Sequence, residues 1–171
     1  MDSIIVGFSR PKKILSPFSW LIRLVTWSQF SHAYIRYYNS YADRWTVLQA
    51  SGLAVNYMGG TLFDTKEDIC AEFELPISSA TKLTTVQFGI DRVGLPYSME
   101  TIFGICYVMI LRLFGKKVTN PFASTSSFVC SELVAQILNE INGTNLDSST
   151  MTPKDVYSYL VSKGYKQISA Q

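Results

Sequence analysis

The strongest local signal in this chain is the hairpin sequence FSHAYIRYYNSYADRWTVLQA, residues 30–50. Aromatic and β-branched residues over 32–38 predict a strand, the polar run 39–43 predicts a turn, and 45–50 predicts the returning strand. The first strand begins at His32, the one histidine in the chain. We therefore expect an antiparallel pair of strands with a single imidazole at its start.

Further strands flank this hairpin, and helices dominate the second half of the chain. Ser16-Pro17 and Thr152-Pro153 are typical helix starts, because serine or threonine caps the first turn and proline fits the first helical position. Ser127 is the predicted N-cap of the helix that contains Cys130. The other predicted strands are residues 4–8, 53–57, 69–75 and 165–168, and the predicted helices are 18–27, 79–93, 98–114, 128–141 and 153–161. This order predicts an α+β fold in which an antiparallel sheet packs against helices.

Composition restricts the class of protein. The 171 residues suit one domain, residues 1–171, whose core needs no disulfide or metal. Hydrophobic residues make up 47% of the chain and charged residues 16%, which excludes a disordered protein. The net charge of +2 is too small to indicate nucleic-acid binding, and the chain has no long run of Lys and Arg.

The cysteines and the first residues indicate a cytoplasmic, reducing location. Cys70, Cys106 and Cys130 are an odd number of thiols, which argues against a disulfide framework. No Cys-x-x-Cys pair accompanies the single histidine, so a zinc site is not expected. The start Met1-Asp2-Ser3 lacks the basic charge of a secretory signal. We expect free thiols, no metal and no cofactor.

One apolar run, residues 101–111, begins at Thr101, ends at Leu111 and allows two interpretations. It is shorter than the roughly 18 apolar residues that a membrane-spanning helix needs. The simpler interpretation is a helix buried in the core. The alternative is a helix that lies against a membrane or lines a pocket for an acyl chain.

Cys130 and His32 are the two residue types that a thiol hydrolase needs. A thiolate attacks a carbonyl carbon, and an imidazole takes the thiol proton and later returns it to the leaving group. Cys130 lies at a predicted helix start, where unpaired N–H groups and the helix dipole lower the pKa of a thiol. The alternative is a cysteine that packs as a small hydrophobe and a histidine with a structural hydrogen bond. Cys70 and Cys106 lie within apolar runs and are interpreted as core residues.

Four short motifs follow one another along the chain: Ser31-His32-Ala33-Tyr34-Ile35, Val47-Leu48-Gln49-Ala50, Gly94-Leu95-Pro96-Tyr97 and Phe128-Val129-Cys130-Ser131-Glu132-Leu133-Val134. In this order they resemble the circularly permuted branch of the NlpC-type papain-like cysteine hydrolases, the YiiX-like group. Ordinary members have the cysteine helix before the histidine strand, and the permuted branch has it after, as here. The segment 151–156 also resembles the one that follows the cysteine helix in that group, so the similarity extends over residues 18–160.

The resemblance implies a papain-like fold and mechanism, with Cys130 as nucleophile and His32 as base. It also implies a third, polar residue on the strand after the histidine, which orients the imidazole. Gln49 fits best, since a hairpin that turns near Tyr41 places position 49 or 50 opposite His32, and Ser51 is the second candidate. Many relatives have an acid there. An amide can still accept a hydrogen bond from an imidazole N–H, but it lacks the charge of a carboxylate.

Two more residues are implied as contacts of the substrate or of the oxyanion. Tyr97 precedes the cysteine, as does a tyrosine that often lines the site in this group, and it can also be a core residue. Ser131 belongs to the cysteine motif. The backbone N–H of Cys130, at a helix start, is the expected oxyanion donor.

Three functions follow as hypotheses. The first is a cysteine hydrolase that cleaves an amide bond in a peptide, an isopeptide or a cell-wall peptide, which a phage- or virus-encoded chain reaches by lysis or injection. The second is a thiol acyltransferase or esterase that acts on lipids, favoured by the apolar run at 101–111 and by Trp20 and Trp27. The Asn-Cys-Glu motif of the lecithin:retinol acyltransferase group is absent, which counts against it. The third is a papain-like scaffold that binds without catalysis. The oligomeric state stays open.

Overall fold

The computed structural model describes residues 2–13, 17–116, 118–122 and 127–170. Within them the strands are β1 Asp2–Pro11, β2 His32–Asn39, β3 Arg44–Ser51, β4 Ala54–Gly59, β5 Glu67–Ile77 and β6 Lys166–Ala170. The helices are α1 Pro17–Thr26, α2 Gly60–Lys66, α3 Ser79–Ile90, α4 Met99–Leu113, α5 Cys130–Asn142 and α6 Pro153–Ser162.

All six strands form one sheet in the order β4-β3-β2-β1-β5-β6, and each neighbouring pair is antiparallel. β1 and β2 lie in the middle. The middle of β1 is buried at every position from Ile4 to Ser9, because both faces of the sheet are covered there. The predicted antiparallel sheet and the α+β class are confirmed.

The larger core lies between one face of the sheet and the helices of the second half. Ile35 and Leu48 from the sheet pack with Leu133 and Ile137 from α5 and with Leu160 from α6, and each is at most 1% exposed. Burial of this apolar stripe holds α5 against β2. This packing places the N-terminus of α5 next to the start of β2.

The opposite face carries a smaller cluster of Tyr34, Val47 and Phe63. Phe63 belongs to α2, a helix the sequence analysis missed because Gly59-Gly60 reads as a break. α2 has only 7 residues, so the burial of Phe63 rather than helix propensity stabilises it. Tyr34 also lies over Gly7, its cross-strand partner, where a Cβ atom would overlap the phenol ring.

Two helix starts test the predicted caps. The hydroxyl of Thr152 accepts from the Asp155 backbone N–H, and the Asp155 carboxylate accepts from the Thr152 N–H, which confirms the predicted start of α6. The prediction for Ser127 is wrong, since the N-cap of α5 is Val129 and it makes no side-chain cap. The predicted cap at Ser16 lies outside the described residues.

α4 spans 15 residues and packs against α1. Ile102 and Ile105 of α4 form a second core cluster with Val129, and Ile22 and Val25 of α1 pack against it. None of the described helices is long and apolar enough to cross a membrane.

Candidate active site

The start of α5 and the start of β2 bring Cys130 next to the backbone around His32. The Cys130 thiol donates to the carbonyl oxygen of Ser31, 3.9 Å from Sγ. Cys130 is the first residue of α5 and is 3% exposed. The predicted pair is therefore brought to one end of β2, with the sulfur buried.

Tyr97 reaches the same place through a short bridging segment. Pro96 pairs with Ala54 at the edge of the sheet, and Tyr97 pairs with Phe128 just before α5. The Phe128 N–H donates to the Pro96 carbonyl at 3.0 Å, and the Ser98 N–H donates to the Phe128 carbonyl at 3.0 Å. These bonds place Tyr97 beside Cys130, where its hydroxyl acts to lower the pKa of the thiol.

Burial controls the charge of the Cys130 thiol. It raises the pKa of Cys130 above its ordinary value, although backbone amides at Ala33, Ser131 and Cys130 itself, and the Tyr97 hydroxyl, all act to lower it. The prediction of a lowered pKa from the helix start alone is wrong, because desolvation outweighs these donors. The resting sulfur is a protonated thiol at neutral pH, surrounded by groups that can stabilise a thiolate.

The imidazole of His32 contacts the predicted third residue. Its Nε2 atom lies 2.9 Å from Oε1 of Gln49, which is buried at 3% exposure. Desolvation lowers the pKa of His32 to about 4, and the hydrogen bond with Gln49 opposes that shift. The imidazole is neutral at neutral pH.

The orientation of the Gln49 amide is fixed by Asn56, on β4. Nδ2 of Asn56 donates to the carbonyl oxygens of Ala54 at 2.9 Å and Ser51 at 3.4 Å, so its Oδ1 atom is left as an acceptor. That oxygen accepts from Nε2 of Gln49 at 3.3 Å, which leaves Oε1 of Gln49 facing His32. Because an amide oxygen only accepts, Nε2 of His32 carries the hydrogen and Nδ1 carries the lone pair.

The strand register differs from the prediction that position 49 or 50 lies opposite His32. Ile35 pairs with Leu48, and continuing that register would put Ser51 across from His32. Gln49 is therefore a diagonal neighbour on the same sheet face, within reach of a long side chain. Ser51 lines the pocket that contains His32.

The imidazole and the thiol flank the same backbone segment of β2. The His32 ring lies 6.4 Å from the ring of Phe63, on the face that α2 covers, whereas α5 covers the opposite face. Among the described residues, the imidazole bonds to Gln49 and the thiol donates to Ser31. No direct hydrogen bond joins the two in this resting arrangement.

Two recesses meet at this site. An almost entirely apolar cavity of about 20 Å³ contains Cys130 and Ser131 and is walled by α1 and α4. A polar, open pocket of about 370 Å³ contains His32 and Ser51. Ile22 and Tyr97 line both recesses, so these two side chains lie between the sulfur and the imidazole pocket.

Ser131 and Glu132 serve the helix start. The Ser131 hydroxyl donates to the Met151 carbonyl at 2.7 Å, which ties α5 to the segment before α6. The Glu132 carboxylate accepts from the Val129 backbone N–H, and burial raises its pKa to about 7. Its Oε2 atom has no partner among the described residues.

The comparisons with known proteins give one informative result. No family model matches the chain, and no curated protein matches it. The solved structure of the metalloprotein YiiX from Escherichia coli O157:H7 is similar, with a TM-score of 0.67, 14% sequence identity, and coverage of 99% of this chain and 96% of that chain. This chain has a YiiX-like fold. At this identity the likeness shows the fold and nothing of the chemistry.

YiiX is described as a metalloprotein, so the donor set here needs a test. The part of the chain that the structure describes contains no group of three His, Cys, Asp or Glu side chains that could hold one ion. His32 is paired with the Gln49 amide, and the Cys130 thiol donates to the Ser31 carbonyl. These residues do not fit a metal site.

Asn56, which holds the Gln49 amide, is a candidate site residue that was not predicted from the sequence. It lies on the predicted strand 53–57, and the register pairs it directly with Gln49. The signal available in the sequence was a polar residue on the strand that follows Gln49, where it can pair with the proposed orienting residue.

Proposed function

We propose that this protein is a papain-like cysteine hydrolase in which Cys130 attacks an acyl carbonyl carbon and His32 is the base. The supporting observation is the chain of hydrogen bonds from Asn56 through Gln49 to His32. It orients a neutral imidazole with its lone pair at Nδ1, at the strand start where Cys130 lies. The motif resemblance supplies the permuted order of the two groups.

The proposed reaction begins with transfer of the Cys130 thiol proton to Nδ1 of His32. Sγ then bonds to the substrate carbonyl carbon, and the tetrahedral oxyanion accepts from the Cys130 backbone N–H. The imidazolium protonates the leaving amine or alcohol, which departs and leaves a thioester on Cys130. Water, deprotonated by His32, hydrolyses the thioester and restores the thiol.

Substrate binding has to bring Nδ1 and Sγ into hydrogen-bond reach. Catalytic hydrogen bonds are often long in unliganded enzymes and tighten when substrate binds. This requires movement of the side chains between the two recesses, Ile22 and Tyr97, and of the β2 start that carries His32. The resting pair is neutral, because burial raises the pKa of Cys130 and lowers that of His32.

The test is the trapping of an acyl-enzyme. Wild-type protein is mixed with p-nitrophenyl butyrate and with a butyryl p-nitroanilide at pH 6 to 9, and intact and peptide masses are measured. We expect a butyryl adduct on Cys130 and turnover that Cys130→Ala abolishes. His32→Ala should slow acylation by about 100-fold or more, while Cys70→Ser leaves it unchanged. Absence of turnover above the buffer rate, without an adduct on Cys130, would leave a binding scaffold as the function.

A second candidate, hydrolysis or transfer of a lipid acyl group, is suggested by the apolar lining of the cavity at Cys130, which at about 20 Å³ has to open to admit an acyl chain. Its lining has almost no polar surface, and its walls are Ile22, Val25, Ile105 and Met109. A chain-length series of p-nitrophenyl esters separates the two candidates. A lipid enzyme should prefer octanoate over butyrate, and Val25→Phe should remove that preference while Val161→Phe does not. Preference for the anilide, without dependence on chain length, supports the amide hydrolase.

A further inference from the structure

The helix α1 packs Ile22 and Val25 against the core, but it also carries apolar side chains on its outer face. The exposed stripe is Trp20 and Leu24 of α1 together with Trp27, the residue after its end, and Leu24 and Trp27 are 71% and 84% exposed. Two residues of α1 that face the protein are the polar Ser19 and Thr26, which are buried. A surface helix normally buries its apolar stripe. An exposed stripe of this kind indicates contact with something other than water.

The buried polar groups explain how α1 tolerates this orientation. The Ser19 hydroxyl is hydrogen-bonded to the Ser31 hydroxyl at 2.6 Å, just before β2. The Thr26 hydroxyl donates to the carbonyl oxygen of Ile22 at 2.7 Å. Because both inward polar groups are satisfied, the outward position of the tryptophans is specified by the fold.

A second exposed apolar stripe runs along α4 and past its end. Phe103, Tyr107, Ile110 and Phe114 recur at intervals of three and four residues and are all exposed. Phe18 joins the two stripes, because its ring packs edge-on against Phe103 with 6.2 Å between centroids. We name the exposed apolar side chains of these two stripes the α1–α4 apolar surface; they are Phe18, Trp20, Leu24, Trp27, Phe103, Tyr107, Ile110 and Phe114.

The sequence segments that carry this surface are rich in basic residues. Residues 10–27 and 99–122 contain seven of the fifteen Lys and Arg residues of the chain but one of its thirteen acidic residues. The rest of the chain is therefore net acidic. Within the surface, Arg23 lies over the Trp20 ring, 5.4 Å from its centroid. Lys12, Lys13 and Lys116 are exposed in these segments, whereas Arg10 is paired with Asp68 of β5.

We propose that the α1–α4 apolar surface docks onto an anionic lipid bilayer and lies in its interface plane. Tryptophan and tyrosine favour the membrane interface, and neighbouring Lys and Arg bind anionic headgroups. A second copy of the chain is a poorer occupant, because two surfaces of the same positive charge would face each other. The contact is peripheral, since none of the described helices can cross a membrane.

This inference does not depend on the proposed hydrolase activity, but it bears on the substrate. α1 and α4 also form the walls of the apolar cavity that contains Cys130. A bilayer against their outer faces would put acyl chains next to these two helices. Membrane binding is tested without any reaction, so the two proposals can fail separately.

The experiment is flotation of the full chain with vesicles of phosphatidylcholine alone or with about one third phosphatidylserine. The test variant changes Trp20, Leu24 and Trp27 to Gln. The matched control changes three exposed apolar residues on other helices, Leu83, Ile90 and Val161, to Gln. Cys130→Ala is a further control for independence from catalysis. Circular dichroism verifies that each variant is folded.

We expect wild type, the matched control and Cys130→Ala to float with the anionic vesicles, and the test variant to lose at least about tenfold in partitioning. Binding of wild type should weaken on neutral vesicles and at about 0.5 M salt. In a Trp45→Phe background, emission from Trp20 and Trp27 should shift to the blue on binding. Absence of flotation, or equal flotation of the test variant, overturns the proposal. Concentration-dependent self-association that only the test variant loses would assign the surface to a protein contact instead.

Discussion

Nε2 of His32 and Oε1 of Gln49 lie 2.9 Å apart, and this contact determines which imidazole nitrogen carries the hydrogen. Gln49 is held in turn by Asn56, whose own amide is anchored on two backbone carbonyls. The direction of each hydrogen bond from Asn56 through Gln49 to His32 is therefore fixed, because carbonyl and amide oxygens only accept and amide NH₂ groups only donate. Substitutions of Gln49 or Asn56 should therefore change the pKa or the tautomer of His32 in a predictable direction. Because His32 is the single histidine of the protein, each change is visible in one NMR signal.

Gln49→Glu should raise the pKa of His32 from about 4 by several units. A carboxylate at this position stabilises the imidazolium by its negative charge. The hydrogen bond with the Gln49 amide only partly offsets the lowering of the His32 pKa by desolvation. Titration of the histidine Cε1–H signal measures the value directly. Gln49→Leu, which removes the acceptor, should lower the pKa below that of wild type. An unchanged pKa in both variants would contradict the contact.

Asn56→Ala should change the tautomer of His32 without touching the ring. Loss of the Asn56 acceptor frees the Gln49 amide to rotate and present its NH₂ group, which favours hydrogen at Nδ1. The ¹⁵N shifts of the imidazole distinguish the two tautomers. Met58→Leu is the matched control, since the Met58 sulfur is also near Nε2 of Gln49, at 4.0 Å, but does not set its direction. If both variants keep hydrogen at Nε2, Asn56 is not a positioning residue.

The sequence predicted the parts of the site that local patterns encode. Strand β2 with His32 at its start, helix α5 with Cys130 at its start and the Thr152 capping box were all expected and are all present. These features depend on alternation, helix periodicity and residues within one turn of each other. The contact of Gln49 with His32 was predicted although the predicted register was wrong by up to two positions, because a long side chain on the next strand reaches its diagonal neighbour.

The parts that failed depend on what packs against a residue. Burial is a tertiary property, so the raised pKa of Cys130 could not be read from its place at a helix start. Helix α2 was missed because a fully buried Phe63, rather than a periodic pattern, stabilises it. The role of Asn56 needed the pairing of β3 with β4, which sequence did not fix.

Stability should depend on pH through two groups with opposite signs. His32 has a pKa of about 4 in the folded protein and about 6.5 when unfolded, so stability is lost as the pH falls through this range. Glu132 has a pKa of about 7 when folded and about 4.5 when unfolded, so stability is lost as the pH rises. Each contributes about 3 kcal/mol, and the two largely cancel between pH 4.5 and 6.5.

Glu132→Gln separates these effects. The variant should be more stable than wild type by about 3 kcal/mol at pH 8 and show little difference below pH 4.5. Urea unfolding across pH 4 to 8 measures both. His32→Gln should show the reverse, with relative stabilisation on the acid side. Parallel curves for wild type and Glu132→Gln would show that Glu132 titrates normally in the folded state.

Gly7→Ala should destabilise the protein by about 1–3 kcal/mol. The new Cβ atom would overlap the ring of Tyr34, which is fully buried and donates to Glu72 at 2.8 Å. Displacement of that ring also disturbs His32, which stacks beside it, so the histidine NMR signal should move. Gly59→Ala is the control, because a Cβ there meets no atom within 4 Å. Equal stability of the two variants in urea would contradict the close approach of Gly7 and Tyr34.

The alkylation rate of Cys130 should depend on pH as expected for a buried thiol that is protonated at neutral pH. Because burial raises its pKa, the iodoacetamide rate at Cys130 should keep rising with pH and show no plateau below about pH 9. Tyr97→Phe removes a hydroxyl that lowers this pKa and should slow labelling at pH 8 by about tenfold. Cys70, which is only partly buried, is the internal control and should label at the same rate in both proteins. A fast, pH-independent reaction of Cys130 near pH 6 would mean that thiolate and imidazolium already form an ion pair without substrate, and the resting neutral pair would have to be given up.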